Sequence, residues 1–81
     1  MTIDETIINY LKEINPSVIG QAEDPRALKL RRVLDSMDMV GLLAHLQTAF
    51  AIRISDADVM AKNFETVGSV IEFVKKKSGR A

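Results

Sequence analysis

Apolar residues recur at three- and four-residue intervals in three segments of the chain, which is the spacing of amphipathic α-helices. In the first segment, residues 3–14, the apolar positions are Ile3, Ile7, Leu11 and Ile14. Thr2 precedes this segment, and Glu5 follows three places further on, which is the order of a capping box. Because a residue before a proline is displaced from the α region, we expect the helix to end at Asn15.

The strongest helical pattern covers residues 36–50, and its polar face is thin. One stripe of apolar positions on this helix contains Met37, Val40, Leu43, Leu46 or Gln47, and Phe50. A second row, formed by Met39, Leu42 and Leu46, widens the apolar surface. Apolar surface of this extent must be covered by other elements, by a ligand or by a partner.

Two further helices follow, one short and one long. Ser55 or Asp56 is the expected N-cap of a short helical turn that ends at residue 61, after a connector at 52–54. Thr66 is the expected N-cap of the last helix, residues 67–77, whose apolar positions are Val67, Val70, Ile71 and Val74. Residues 78–81 are expected to fray.

Residues 15–34 form a long connection that contains both prolines and Gly20. Long loops in small domains are usually functional or packed, and we expect Val18, Leu28 and Leu30 to dock on the core. The chain is therefore predicted to be all-α and a single domain over residues 1–81. Its expected architecture is a small four-helix bundle with three main helices, one short helix and a long first loop.

The composition supports a small globular domain. The 81 residues are 47% hydrophobic and 27% charged, and eleven basic residues balance eleven acidic ones. No apolar run reaches the roughly 20 residues of a membrane helix, so membrane insertion is not expected. The chain has no cysteine, and its first residues lack the pattern of a signal peptide. We expect a cytoplasmic, monomeric protein.

Catalysis by the chain itself is not expected. His45 is the single histidine, whereas general-base or nucleophilic chemistry needs a partner group beside it. Asp56-Ala57-Asp58 is similar to the start of a calcium loop, but Met60 and Val67 stand where that loop requires oxygen ligands. No metal site is expected.

A basic cluster lies between Arg26 and Arg32. It fits either an ordinary solvated loop or a patch that binds an acidic partner or a nucleic acid. Nucleic-acid binders usually combine a net basic charge with stacking aromatic residues, and this chain has zero net charge, one tyrosine and three phenylalanines. A noncatalytic helical interaction module that acts through Arg26–Arg32 is the alternative function.

The segment Leu34–Asp38 allows two interpretations. In the structural one, Asp35 or Ser36 caps a helix and Asp38 lies in its first turn. In the functional one, Ser36 offers an exposed hydroxyl at the positive end of a helix, where free backbone N–H groups would stabilise an attached phosphodiester. Nothing nearby could deprotonate this serine, so it would be a modification site rather than a catalyst.

The chain resembles the acyl carrier protein family over most of its length. Asp35-Ser36-Met37-Asp38 is similar to the attachment motif at the start of that family's second helix. The resemblance continues downstream through Val40, Leu42, Leu43, Leu46 and Phe50, then Ile52–Asp56, and finally Asn63–Val67.

The resemblance implies a carrier function. Ser36 would receive 4′-phosphopantetheine from coenzyme A through a phosphopantetheinyl transferase, with Asp35 assisting at a magnesium ion during the transfer. Acyl or aminoacyl groups would then be held as thioesters on this arm, loaded by a ligase and passed to downstream acyltransferases or synthases. The expected partner-binding residues are Met37, Asp38, Met39, Arg31 and Arg32.

Departures from the family pattern favour a specialised carrier over the housekeeping fatty-acid carrier. Gly41, Gln47, Thr48 and Ala49 stand where fatty-acid carriers often have acids, and Val33–Met37 is more similar to D-alanyl and related aminoacyl-type carriers. An acyl chain could occupy a cleft lined by Val40, Leu43, Leu46, Ile54, Val59 and Phe64; the alternative is that these residues form an ordinary packed core.

Overall fold

The computed structural model describes residues 2–79 of the chain. Within that range the α-helices are α1 (Ile3–Ile14), α2 (Pro16–Gln21), α3 (Leu30–Val33), α4 (Ser36–Phe50), α5 (Asp56–Met60) and α6 (Val67–Ser78). Short 3₁₀ turns lie at Pro25–Ala27 and Lys62–Phe64. The all-α architecture with three long helices and the short α5 is confirmed, and α1 and α4 have the predicted bounds.

Capping boxes determine where four of these helices begin. Capping boxes join Thr2 to Glu5 at α1, Asp35 to Asp38 at α4, Ser55 to Asp58 at α5 and Thr66 to Ser69 at α6. In each box a side-chain oxygen accepts from the backbone N–H three residues later, which satisfies a donor that the helix itself leaves free. Helix starts are therefore encoded locally, which is why the sequence predicts them well.

The predicted long connection is more ordered than a loop, because it contains α2, a 3₁₀ turn and α3. The Asn15 side chain accepts from the backbone N–H of Val18 and caps α2, and Pro16 occupies the first helical position, where proline needs no N–H donor. The Asn-Pro step that ends α1 therefore also begins α2. The end of α1 at this step was predicted from the sequence, whereas the start of α2 was not.

Backbone pairing ties this connection to the start of α6. The N–H of Leu30 donates to the carbonyl of Glu65 (2.9 Å), and the N–H of Val67 donates to the carbonyl of Leu28 (3.0 Å). Leu30 is fully buried, whereas Val18 and Leu28 are half-buried against the core, so all three dock as predicted. This anchor holds α3 in place directly before α4.

The core is formed by the apolar faces of the long helices and by residues of the connection. Its fully buried side chains are Ile7, Leu11, Leu30, Leu42, Leu46, Val67, Val70, Ile71 and Val74. At the side of the core, the ring of Tyr10 on α1 stacks on His45 of α4, with ring centroids 4.1 Å apart. Within residues 2–79 no helix combines the length and the apolar character needed to cross a bilayer.

The fraying of residues 78–81 stays a prediction. Ser78 is the last residue of α6, and Gly79 caps the helix in the left-handed conformation with φ of 71°. Arg80 and Ala81 lie outside the described residues.

An ion-pair network joins α1, the connection and α6. Arg26 pairs with Asp4 and with Glu72 (3.1 Å), and the ammonium of Lys75 lies 3.1 Å from Asp4 Oδ1. Burial raises the pKa of the Asp4 carboxyl, but the hydrogen bond from Lys75 and the charges of Lys75 and Arg26 outweigh it, and the pKa lies below its usual value. The side chains of this network are half-exposed, so their ion pairs add modestly to the stability that comes mainly from the packed core.

We predict that acid destabilises the protein through this network. A carboxyl whose pKa is lowered in the folded state contributes stability above its unfolded pKa of about 4, and that contribution is lost as the pH falls through the folded value. The free energy of unfolding, measured with urea between pH 7 and pH 2, should therefore fall below about pH 4. Asp4→Asn should show a smaller fall than wild type. Asp56→Asn is the control, because Asp56 is exposed and has no ion pair among the described residues, and its fall should match that of wild type. An identical fall in wild type and Asp4→Asn would contradict the assignment.

We also predict opposite effects of alanine at two helical glycines. A Cβ at Gly68 would lie 3.0 Å from the carbonyl oxygen of Arg26, whereas a Cβ at Gly20 would meet nothing within 4 Å. Overpacking costs about 1–3 kcal/mol, and replacing a helical glycine gains at most about 1 kcal/mol. Gly68→Ala should therefore lower stability by about 1 kcal/mol and the melting temperature by about 4–8 °C. Gly20→Ala should leave the melting temperature unchanged or raise it. A higher melting temperature for Gly68→Ala would contradict the prediction, because it would show that the backbone at Arg26 can move away from α6.

Candidate functional site

Ser36 is the first residue of α4 and is exposed. The two residues before it are extended, and the side chains of Val33 and Leu34 are buried, which holds the chain against the core up to the turn. The backbone N–H of Asp38 donates to Asp35 Oδ1 (2.8 Å), and the N–H of Asp35 donates back to Asp38 Oδ2 (3.4 Å). Asp35 is thus the N-cap, one of the two residues that the sequence offered for that role, and Ser36 is not needed to begin the helix.

The hydroxyl of Ser36 has no hydrogen-bond partner within the described part of the chain. A serine at the N-cap would accept a backbone N–H, but at Ser36 the N-cap carboxylate accepts it instead. The hydroxyl is therefore free to react with an approaching molecule. Among residues 2–79, no side chain forms a hydrogen bond with this hydroxyl through which it could remove the proton.

Apolar side chains protrude from α4 next to Ser36. Met37 is 83% exposed and Val40 67% exposed. Met39 is half-buried, packs against the core, and lines a surface cavity of about 360 Å³ together with Lys29, Arg31, Phe64 and Glu65. Of the predicted partner-binding residues on α4, Met37 is fully accessible, whereas Asp38 and Met39 are half-buried.

The predicted acyl cleft needs one correction. Val40 was expected among its lining residues but lies on the exposed face of α4. The buried line of α4 is Leu42, Leu46 and Phe50, which all belong to the predicted apolar surface, whereas Met37 and Val40 of the first stripe are exposed. Among the other five candidates, Leu46 and Phe64 are buried, and Leu43, Ile54 and Val59 are half-buried against the core. A cleft formed by these five stays a prediction.

The basic cluster is divided by ion pairing. Arg26 pairs with Asp4 and Glu72, and Lys29 pairs with Glu65 (3.1 Å). The hydrogen bond from Lys29 and its charge lower the pKa of Glu65, and Arg31 adds to this effect. Arg31 and Arg32 are exposed and form no ion pair with a described residue. The region 26–32 is therefore not one free patch, and only these two arginines stand open beside α4.

The other candidates from the sequence have structural roles. Asp58 is the capping partner of Ser55. The hydrogen bond from the backbone N–H of Ser55 is the main cause of the lowered pKa of the Asp58 carboxyl. The same carboxyl lies 3.7 Å from the ammonium of Lys77. Within residues 2–79 no group of three or more acids or histidines is placed to hold a metal ion. His45 stacks on Tyr10, a contact between distant residues for which the sequence contains no local signal.

Comparison with known protein families identifies this region. Residues 34–74 match the phosphopantetheine attachment site family. The match begins just before Ser36 and spans about half of the chain, including α4, α5 and most of α6.

Curated relatives match nearly the whole chain. An acyl carrier protein of Borreliella burgdorferi is 44% identical over 80 residues, covering 94% of this chain and 98% of the relative. The acyl carrier protein of Borrelia garinii subsp. bavariensis is 32% identical with the same coverage, and that of Thermotoga maritima is 26% identical over 98% of this chain and 100% of the relative. No solved structure matches the chain significantly.

The geometry predicts different effects of alanine at two neighbouring positions. Asp35→Ala removes the N-cap of α4 and should lower stability by about 1 kcal/mol, within a range of about 0.5–2 kcal/mol. Ser36→Ala removes a hydroxyl that forms no hydrogen bond with the described residues and should change stability by less than about 0.5 kcal/mol. Urea unfolding of both variants checks this. If Ser36→Ala were the more destabilised variant, the serine would be a structural cap.

Proposed function

The chain belongs to the acyl carrier protein family, whose members are carriers with a covalent 4′-phosphopantetheine group and not catalysts, and we propose that Ser36 is the residue that bears this group. We also propose a role for Asp35 and the kind of pathway that the carrier serves.

One observation carries the choice of Ser36. The segment that matches the attachment-site family contains three serines, Ser36, Ser55 and Ser69. The hydroxyl of Ser55 accepts the N–H of Asp58, and that of Ser69 accepts the N–H of Thr66 and donates to backbone carbonyls. Only Ser36 has an exposed hydroxyl without a hydrogen bond among the described residues of that segment.

The surroundings of Ser36 suit a phosphodiester. The linkage would lie at the N-terminus of a 15-residue helix, where unpaired N–H groups and the helix dipole favour negative charge. Asp35 is exposed, and of its carboxylate oxygens Oδ1 accepts from Asp38. Its Oδ2 is available to bind a magnesium ion that also binds the diphosphate of coenzyme A during the transfer.

The transfer itself needs an external catalyst. The Oγ of Ser36 forms a bond to the phosphorus that bears pantetheine, the bond from that phosphorus to the bridging oxygen of coenzyme A breaks, and adenosine 3′,5′-bisphosphate leaves. The serine proton passes to a base of the phosphopantetheinyl transferase, since no base in the described part of the chain is hydrogen-bonded to the hydroxyl.

When bound, the group supplies a terminal thiol that holds an acyl or aminoacyl cargo as a thioester. The chain contributes an exposed attachment point on a rigid bundle. A tethered cargo has a high effective concentration at each docked enzyme, so a loading ligase and downstream acyltransferases or synthases can exchange rapidly on the carrier.

We further propose a specialised cytoplasmic pathway rather than housekeeping fatty-acid synthesis. The support is the neutral exposed face of α4: after Asp38 its exposed residues are Val40, Gly41, Ala44, Thr48 and Ala49. An enzyme that relies on acidic side chains along this helix would find none of them on its exposed face beyond Asp38. Whether the cargo is acyl or aminoacyl stays a prediction.

Intact-mass measurement tests the attachment residue. After incubation with coenzyme A, magnesium and a broad-specificity phosphopantetheinyl transferase, wild type should gain the mass of one phosphopantetheine group. Ser36→Ala should gain none. Ser17→Ala is the matched control, because Ser17 is also an exposed serine near a helix start, and it should be labelled like wild type. Labelling of Ser36→Ala would overturn the proposal.

A further inference from the structure

We propose that the phosphopantetheine arm rests in the surface cavity between α3, α4 and the turn before α6, with Arg31 as the residue that holds it there. The inference rests on the proposed attachment at Ser36 and adds a binding site of this chain for the group that Ser36 would bear. We call this site the arm cavity. Its lining residues are Lys29, Arg31, Met39, Phe64 and Glu65.

The arm cavity begins beside Ser36. Ser36 and Met39 are three residues apart in α4, so their side chains are neighbours on the helix surface, with Cβ atoms about 5–6 Å apart. Pantetheine consists of a pantoyl, a β-alanine and a cysteamine unit, so its extended length is roughly that of four residues, on the order of 14 Å. The cavity has a volume of about 360 Å³, which lies in the lower part of the range for small-ligand sites. An arm that leaves Ser36 past Met39 can therefore reach and enter it.

The walls of the cavity match the chemistry of the arm. Phe64 is buried and Met39 is half-buried, so together they give the cavity an apolar floor, whereas the three residues at its rim are charged. The first carbon unit of pantetheine after the phosphate bears two methyl groups, and two amide groups follow it. The methyl groups lie nearest to Ser36 and thus to the Met39 side chain, and the amides extend towards the rim. Amide carbonyl oxygens accept hydrogen bonds from a guanidinium.

Arg31 is the rim residue whose donors are still open. Lys29 donates to Glu65 over 3.1 Å. Arg31 is exposed and has no ion pair or hydrogen bond among the described residues. The hydrogen bond and the charge of Lys29 are the main causes of the lowered pKa of Glu65, and the charge of Arg31 adds to them, which indicates that its guanidinium lies near this rim.

The other surfaces beside Ser36 offer the arm less contact. Val40 is 67% exposed on α4, so an arm that lay on it would be contacted from one side. The carboxylates of Asp35 and Asp38 accept backbone N–H groups at the start of α4 and do not line the cavity. A cavity contacts a chain from several sides and removes more of its apolar surface from water.

Weak contacts are sufficient to hold a tethered group. A short flexible tether gives an effective concentration in the millimolar range, so a contact of about millimolar affinity would be occupied about half of the time. The arm would then leave the cavity readily when an enzyme binds the cargo, and between such encounters it would point towards α6 instead of sampling all directions.

Nuclear magnetic resonance of the modified protein tests this position. The arm is supplied with ¹³C and ¹⁵N labels from labelled coenzyme A, and intact mass confirms one arm per chain. Arg31→Gln removes the guanidinium at the cavity. Arg32→Gln is the matched control, because Arg32 is also an exposed arginine of α3 without an ion pair among residues 2–79, but it borders a different cavity. Circular dichroism should show equal folding of both variants.

In wild type, nuclear Overhauser effects should connect the two methyl groups of the arm with the Met39 methyl group and the Phe64 ring. None should reach the methyl group of Met60, which is 87% exposed on α5. The order parameter of the first amide N–H of the arm should exceed about 0.6, the value below which a group counts as flexible. Arg31→Gln should weaken these effects about twofold or more and lower the order parameter, whereas Arg32→Gln should match wild type.

Three results would overturn the inference: no effects from the arm to Met39 and Phe64, effects to the methyl groups of Val40 in their place, or unchanged effects in Arg31→Gln. Each is measured on protein whose mass shows the arm, so each leaves the proposed attachment intact. If wild type gains no arm at Ser36, the proposed attachment is refuted, and the arm cavity is refuted with it.

Discussion

The position of the proposed modification site depends on two backbone hydrogen bonds that join distant parts of the chain. Leu30 donates to Glu65, and Val67 donates to Leu28, so that the connection after α2 is held against the start of α6. Buried Leu30, Val33 and Leu34 continue this contact up to the residue before Asp35. Since the chain is anchored on both sides of α3, the start of α4 has little freedom, and Ser36 is presented at a fixed place on the surface.

The capping arrangement at α4 separates structural from chemical roles. Asp35 supplies the side chain that begins the helix, and it shares the capping box with Asp38. In Ser55 and Ser69, by contrast, the hydroxyls accept backbone N–H groups in capping boxes. Because a carboxylate has taken over this task at α4, the neighbouring hydroxyl can be modified without loss of the helix. The carrier function follows from an ordinary feature of helix termini, placed where another enzyme can reach it.

The sequence predicts the parts of this structure that are determined locally. Thr2, Asp35, Ser55 and Thr66 are caps that neighbouring residues specify, and the long helices begin where these caps indicate.

The orientation of α4 could not be predicted in this way. This helix is apolar on nearly all sides, so its periodicity does not reveal which stripe faces the core, and Val40 was placed on the wrong side. The pairing of Tyr10 with His45 and the ion pairs of Arg26 join residues far apart in sequence, and such contacts leave no local pattern. The candidate attachment site was found because its motif is short and lies at a helix start, whereas Arg31 and Arg32 could be distinguished from the paired Arg26 and Lys29 only in the structure.

The central claim is that Ser36 carries the phosphopantetheine arm in the living cell. The most direct measurement is tandem mass spectrometry of peptides from the protein purified from its native host. The account predicts fragment ions that place the phosphopantetheine group on Ser36 and leave the other serines unmodified. A native population with Ser36 consistently bare, or with the group on another residue, would contradict it.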